Sequence, residues 1–167
     1  CREGCNRSSC LIAGWISEPT KKLAARTMTQ VNFYSLKTSD SHSRLVFACR
    51  LAEKARSLGH DVFIQTGSQQ QTQTMDELLW EFSPASFLPH ALSSSKTEKE
   101  RITVGLDSAA NKHSDVVINL DSNPCSKPQQ YTKINEIIIQ DEEILQQGRT
   151  RFRFYKEQGY KPETFKL

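Results

Sequence analysis

Hydrophobic and polar positions along the chain follow two periods, one of strands and one of helices. "VNFYSL" (31–36) is a short apolar-rich run of strand length, closed by the turn and cap signals "KTSDSHS". In "RLVFACRLAEKARSLG" the residues Leu45, Ala48, Cys49, Ala52 and Ala55 recur at helical spacing, and Gly59 stands where a C-terminal cap belongs. "HDVFIQT" (60–66) then reads as a buried strand. The chain therefore opens as β-α-β, and a right-handed crossover makes the two strands parallel.

A Gln/Thr-rich stretch (68–74) leads into a second helix, which stops at Ser83-Pro84. At ~100° per residue its apolar positions Met75, Leu78, Leu79 and Phe82 share one narrow face, and Trp80 points about 150° away from the centre of that face. A polar loop, "SSSKTEKE" (93–100), precedes two strand-like runs, "RITVGL" (101–106) and "DVVINL" (115–120). Their connector "DSAANKHS" is short for a crossover helix, which leaves the strand order open. "SNPCSKPQQ" (122–130) reads as a loop and "INEIIIQ" (134–140) as a last strand. A final helix over 141–160 opens with Asp141, Glu142 and Glu143 and closes with bases, as the helix dipole prefers, before Gly159 and Pro162 end it. Five strands alternating with three helices predict an α/β fold: a single three-layer domain whose mainly parallel sheet is flanked by helices.

Composition narrows the picture further. The 167 residues, 37% apolar and 25% charged, suit one globular domain. Apolar runs are of strand size, so no membrane span is expected. A net charge of +3 is too small for bulk attraction to nucleic acid to lead. Cys1, Cys5, Cys10, Cys49 and Cys125 are odd in number and lack CxxC spacing, so neither a disulfide framework nor a zinc site is expected, and a reducing cytoplasm is. Residues 1–27 carry no strand or helix pattern and end before "MTQVNFYSL". They are expected to be a disordered extension or an upstream translation artefact, with the domain at 28–167.

The usual marks of catalysis do not accumulate. There is no GxxxxGK[ST], no GxGxxG and no GxSxG, and the loop after the first strand has no glycine to let a pyrophosphate approach the backbone. His42, His60, His90 and His113 lack the i+4 partner of a helical metal site. Cys49 lies on the buried face of its helix. Asp40 and Asp121 stand near the C-terminal ends of strands, where α/β sites usually sit, so a small nucleotide-binding or phosphoryl-transfer enzyme remains an alternative. No cofactor and no metal are expected.

Two surfaces stand apart from the core pattern. Trp80, followed by Phe87, Leu88 and Pro89, forms an aromatic and proline patch that either anchors a protein partner or is covered by its own loop. On the last helix, Ile144, Gly148, Phe152 and Tyr155 share one face, while Arg149, Arg153, Lys156 and Tyr160 lie about 120–180° from Ile144. With Arg151 and Lys161 nearby, this strip suits carboxylates held by charge-assisted hydrogen bonds. The same residues leave direct single-stranded nucleic-acid binding as another alternative.

The run "DELLWEFSPASFLPHAL" followed by "INEIIIQDEEILQQGRTRFRFYKEQGYKPETF" resembles the chi subunits of bacterial DNA polymerase III, over Met28 to Leu167. The Trp-x6-Phe-x-Pro-His element and the arginine- and aromatic-rich last helix carry the likeness. The resemblance implies a nucleotide-binding-like fold without a phosphate loop, no catalysis and no cofactor. It implies an adaptor that joins the psi subunit of the clamp loader to the acidic C-terminal tail of single-stranded-DNA-binding protein, touching single-stranded DNA only indirectly. Trp80, Phe87, Leu88 and Pro89 would face psi. Arg149, Phe152, Arg153 and Lys156 would receive the tail, whose last residue is a phenylalanine. Arg149 matches a basic family position, Arg153 takes one often filled by lysine, and Phe152 one often filled by tyrosine. Leu145 stands where the family carries a further lysine.

Overall fold

The computed structural model describes residues 29–82, 90–92, 101–106 and 115–167. The expected extension 1–27, the loop 93–100, the connector 107–114 with His113, and Phe87, Leu88 and Pro89 lie outside the described residues. In chain order the elements are β1 (Gln30–Ser35), α1 (Ser41–Ser57), β2 (Val62–Gln65), α2 (Gln69–Glu81), β3 (His90–Leu92), β4 (Ile102–Gly105), β5 (Val116–Asn119), a 3-10 turn (Pro128–Gln130), β6 (Lys133–Ile138), α3 (Glu142–Glu157) and β7 (Glu163–Lys166).

The strands form one seven-stranded sheet in the order β3-β4-β2-β5-β6-β1-β7. Every neighbouring pair is parallel. The order left open by the sequence is thus set: β4 and β5 are not neighbours, and β2 lies between them and pairs with both. The central strands β2 and β5 are buried along their whole length, as a sheet covered on both faces requires. Against one face, α1 and α2 pack Leu45, Ala48, Cys49, Ala52, Met75 and Leu79 onto alternate sheet residues such as Ile64, Ile118 and Ile137. Tyr155 of α3 packs on the other face with Val31, Phe33, Phe63, Val117 and Ile134. The α/β architecture with a parallel sheet is therefore as expected.

Several details differ from the sequence reading. Seven strands replace five, because β3 has only three residues and all four of β7 are exposed, so neither carries a strand-length hydrophobic pattern. The Gln/Thr stretch is the start of α2 rather than its leader: Ser68 Oγ accepts from Gln71 N and caps it. The last helix ends at Glu157 rather than Tyr160, with Gly159 at φ +90° in the left-handed turn that glycine favours. Asp40, the candidate phosphoryl-transfer residue, is the N-cap of α1: its carboxylate accepts from His42 N, Ser43 N and Ser43 Oγ, bonds that lower its pKa. Asp121 accepts from Gln65 Nε2 and Ser122 N. Among the described residues no group of three or more His, Cys, Asp or Glu side chains is placed to hold a metal, and no helix is long and apolar enough to cross a membrane.

Burial pushes the Cys49 thiol up to about 12. In the unfolded chain it ionises near its ordinary value, so between about pH 9 and 12 the unfolded state holds fewer protons and folding stability falls as pH rises. Urea unfolding across that range is expected to show this decline, and Cys49→Ala to make it shallower. Burial raises Tyr155 as well, so part of the slope remains in the variant.

Candidate functional site: a basic-rimmed aromatic groove beside the last helix

The placement of α3 begins with Glu136, on the inward-facing side of β6 and 0% exposed. Its Oε2 accepts from Arg151 Nε at 2.8 Å, and its Oε1 accepts from Tyr155 Oη and Asn119 Nδ2, each at 2.9 Å. Arg151 Nη1 donates to Ser122 O, and Tyr155 Oη accepts from Cys125 N at 3.0 Å. Residues one turn apart on α3 thus grip one buried carboxylate, which fixes the rotation of the helix about its axis. The helix comes close to the sheet at Gly148, where an added Cβ would lie 2.7 Å from Ile138 Cδ1, so a side chain there would require the Ile138 side chain to shift.

Arg151 is therefore not one of the carboxylate-receiving bases, as the sequence reading had allowed. It is 1% exposed and committed to Glu136. Tyr160 also leaves the exposed strip: it is partly buried, with its ring centroid 6.4 Å from that of Tyr155. Helical spacing carried a signal for Arg151, since it lies seven residues after Ile144 and so on the inward stripe. A base on that stripe needs a buried acid.

With α3 held in this way, Leu145, Arg149, Phe152 and Lys156 run along its flank beside β1. They border an open groove of about 450 Å³ between the helix and the edge of the sheet. Phe33, Ile138, Leu145 and Phe152 supply its apolar surface, Ser35 and Thr164 its hydroxyls, and Arg149, Arg153 and Lys156 its rim. Phe33 and Phe152 meet edge-on with centroids 5.2 Å apart, and Lys156 Nζ lies 5.6 Å from the Phe152 centroid. Among the described residues the three rim bases make no ion pair. Leu145 adds an apolar wall. The groove can thus receive an aromatic ring below and carboxylates above. Phe33, Ser35, Ile138 and Thr164 were not singled out from sequence, because β1 is distant from α3 in the chain and the flanking strands β6 and β7 meet β1 and the helix only through the order of the sheet.

The second surface is anchored by α2. Trp80 is 51% exposed, off the stripe that buries Met75 and Leu79. Its ring centroid is 4.9 Å from that of His90, whose Nε2 lies 2.9 Å from Asp76 Oδ1. His90 opens β3 directly after Pro89 in sequence, but Phe87, Leu88 and Pro89 themselves are not described.

The sequence model of the family described as "DNA polymerase III chi subunit, HolC" matches residues 28–163. The chain belongs to the DNA polymerase III chi-subunit family. It is 34% identical over 140 residues to the DNA polymerase III subunit chi of Pseudomonas aeruginosa, covering 84% of this chain and 98% of that protein. It is 28% identical over 134 residues to the subunit of the same name from Haemophilus influenzae, covering 79% and 93%. In this chi-family chain both surfaces lie within the matched region.

Arg151→Met is expected to lower stability by about 3–5 kcal/mol in urea unfolding, because it strands the Glu136 carboxylate in the core. Arg149→Ala, on the exposed side of the same helix, is expected to stay within about 0.5 kcal/mol of the parent. Equal losses would contradict the assignment of one arginine to the core and the other to the rim.

Proposed function

We propose that this chain is a non-catalytic accessory subunit of DNA polymerase III, acting in the cytoplasm during DNA replication. In this reading the α3 groove receives the acidic C-terminal tail of single-stranded-DNA-binding protein. The patch around Trp80, with Phe87, Leu88 and Pro89, holds the psi subunit of the clamp loader. One chain then links the polymerase assembly to coated single-stranded DNA without touching the DNA itself.

The observation that carries the reading is the pairing of chemistries in one place. A peptide that ends in an aromatic residue presents a ring, a terminal carboxylate and preceding acids. The groove offers an apolar surface of Ile138, Leu145 and Phe152, the last packed on Phe33, beneath Arg149, Arg153 and Lys156. Arginine suits the carboxylates because its planar fork can bind them in bidentate fashion. Exposed charges steer the encounter and the buried ring supplies specificity, so binding should weaken with salt. Family membership supports the assembly, and the half-exposed Trp80 supports a second, separate face. The capping role of Asp40 favours this reading over a phosphoryl-transfer enzyme.

Fluorescence anisotropy with a labelled acidic peptide ending in Asp-Phe tests the assignment. Arg149→Ala and Arg153→Ala are each expected to weaken binding about tenfold, and removal of the terminal Phe to weaken it further. Trp80→Ala is expected to leave peptide binding unchanged and to weaken psi binding by at least about tenfold. A folded protein that ignores the peptide at low salt, or loses both partners with each substitution, contradicts the two-surface reading.

A further inference from the structure

A second groove opens on the other face of the same sheet edge. It has a volume of about 350 Å³, with Leu36, Val46 and Phe47 as its apolar surface and Lys37 and Arg50 among its lining residues. Thr38 and Ser43 also line it. Lys37 and Arg50 are exposed, and among the described residues neither makes an ion pair. The neighbouring acid, Asp40, is engaged in capping α1.

The two grooves meet at the end of β1, where Ser35 lines the first and the next residue, Leu36, lines the second. The ridge between them is braced: Gln140 Nε2 donates to Leu36 O at 2.8 Å and to Ser35 Oγ at 3.3 Å, and Leu167 N donates to Ser35 O. Lys166 of β7 stands in register with Ser35 and so shares its sheet face. Bases therefore stand on both sides of the ridge, Arg149, Arg153 and Lys156 at the first groove and Lys37 and Arg50 at the second, with Lys166 in register with Ser35 between them.

We infer that the second groove receives the acidic residues upstream of a tail whose terminal ring sits in the first. This inference rests on the tail-capture reading above and extends it from a terminal anchor to a longer path across the sheet edge. Charge complementarity selects the occupant, since lysines and arginines in the lining of both grooves favour a polyanionic segment already held by its end. The second groove then acts by effective concentration, adding affinity only to a peptide long enough to cross the ridge.

Two peptides with the same aromatic end distinguish this inference from the reading beneath it, one of about four residues and one of about ten, ~30 Å when extended. The long peptide is expected to bind about fivefold tighter, with the advantage lost in Lys37→Glu/Arg50→Glu and lost also when its upstream acids are replaced by Asn and Gln. The short peptide is expected to bind the variant and parent alike, which also verifies that the variant is folded. Equal affinities of the two peptides for the parent, or equal weakening of both by the charge reversal, would overturn the second groove while leaving the first intact. Failure of both peptides to bind would overturn the tail-capture reading and this inference with it. If the reversal abolished binding of an oligothymidylate and left the long-peptide advantage untouched, the groove would belong to nucleic acid instead.

Discussion

Everything on the α3 side of the sheet depends on one buried carboxylate. Glu136 sits on β6 with no access to solvent and is held by Arg151, Tyr155 and Asn119. Such a pair gains little net stability over an apolar substitute, because desolvation offsets most of the Coulombic attraction. What it supplies here is direction. A greasy helix face can settle on a sheet in several rotations, whereas Arg151 and Tyr155 reach Glu136 in only one. Burial drives the Tyr155 hydroxyl pKa upward, and the Glu136 charge adds to the shift, so the hydroxyl stays protonated and continues to donate. On the opposite face, Arg44 donates through Nε to Ile137 O; its pKa is lowered to about 10 by burial, with the charge of Arg151 adding to the effect.

Rotation and height together create the groove. Gly148 lets the backbone of α3 approach Ile138, and Phe152 then meets Phe33 on β1. Arg149, Arg153 and Lys156 follow from helical spacing once that face is set, and they stand exposed along the groove. The same helix is thus fixed from inside by an arginine and offers arginines outside. The distinction lies in position on the helical wheel, since Arg149, Arg151 and Arg153 are chemically identical.

That distinction was partly legible in the sequence. Helical periodicity placed α1, α2 and α3, and strand-length apolar runs placed β1, β2, β4, β5 and β6. The shortest and most exposed strands, β3 and β7, left no periodic signal because backbone pairing rather than side-chain burial defines them. The aromatic and basic residues of α3 were visible as a flank, and Trp80 as an outlier from the α2 stripe. The strand half of the groove was not visible, because Phe33, Ile138 and Thr164 reach α3 only through the order of β6, β1 and β7 in the sheet. Arg151 was misassigned because its proximity to other bases in sequence outweighed its spacing from Ile144.

In the proposed function, the anchored face of α3 and the strand residues of β1 and β6 act as one receiving surface. Methyl-resolved NMR tests it most directly, by following a titration with an acidic peptide ending in phenylalanine. Ring-current shifts are expected at the methyls of Leu145 and Ile138, with those of Ile64 and Val104 on the other side of the sheet unmoved. Shifts centred on α2, or saturable binding that leaves Leu145 and Ile138 unchanged, would contradict the account.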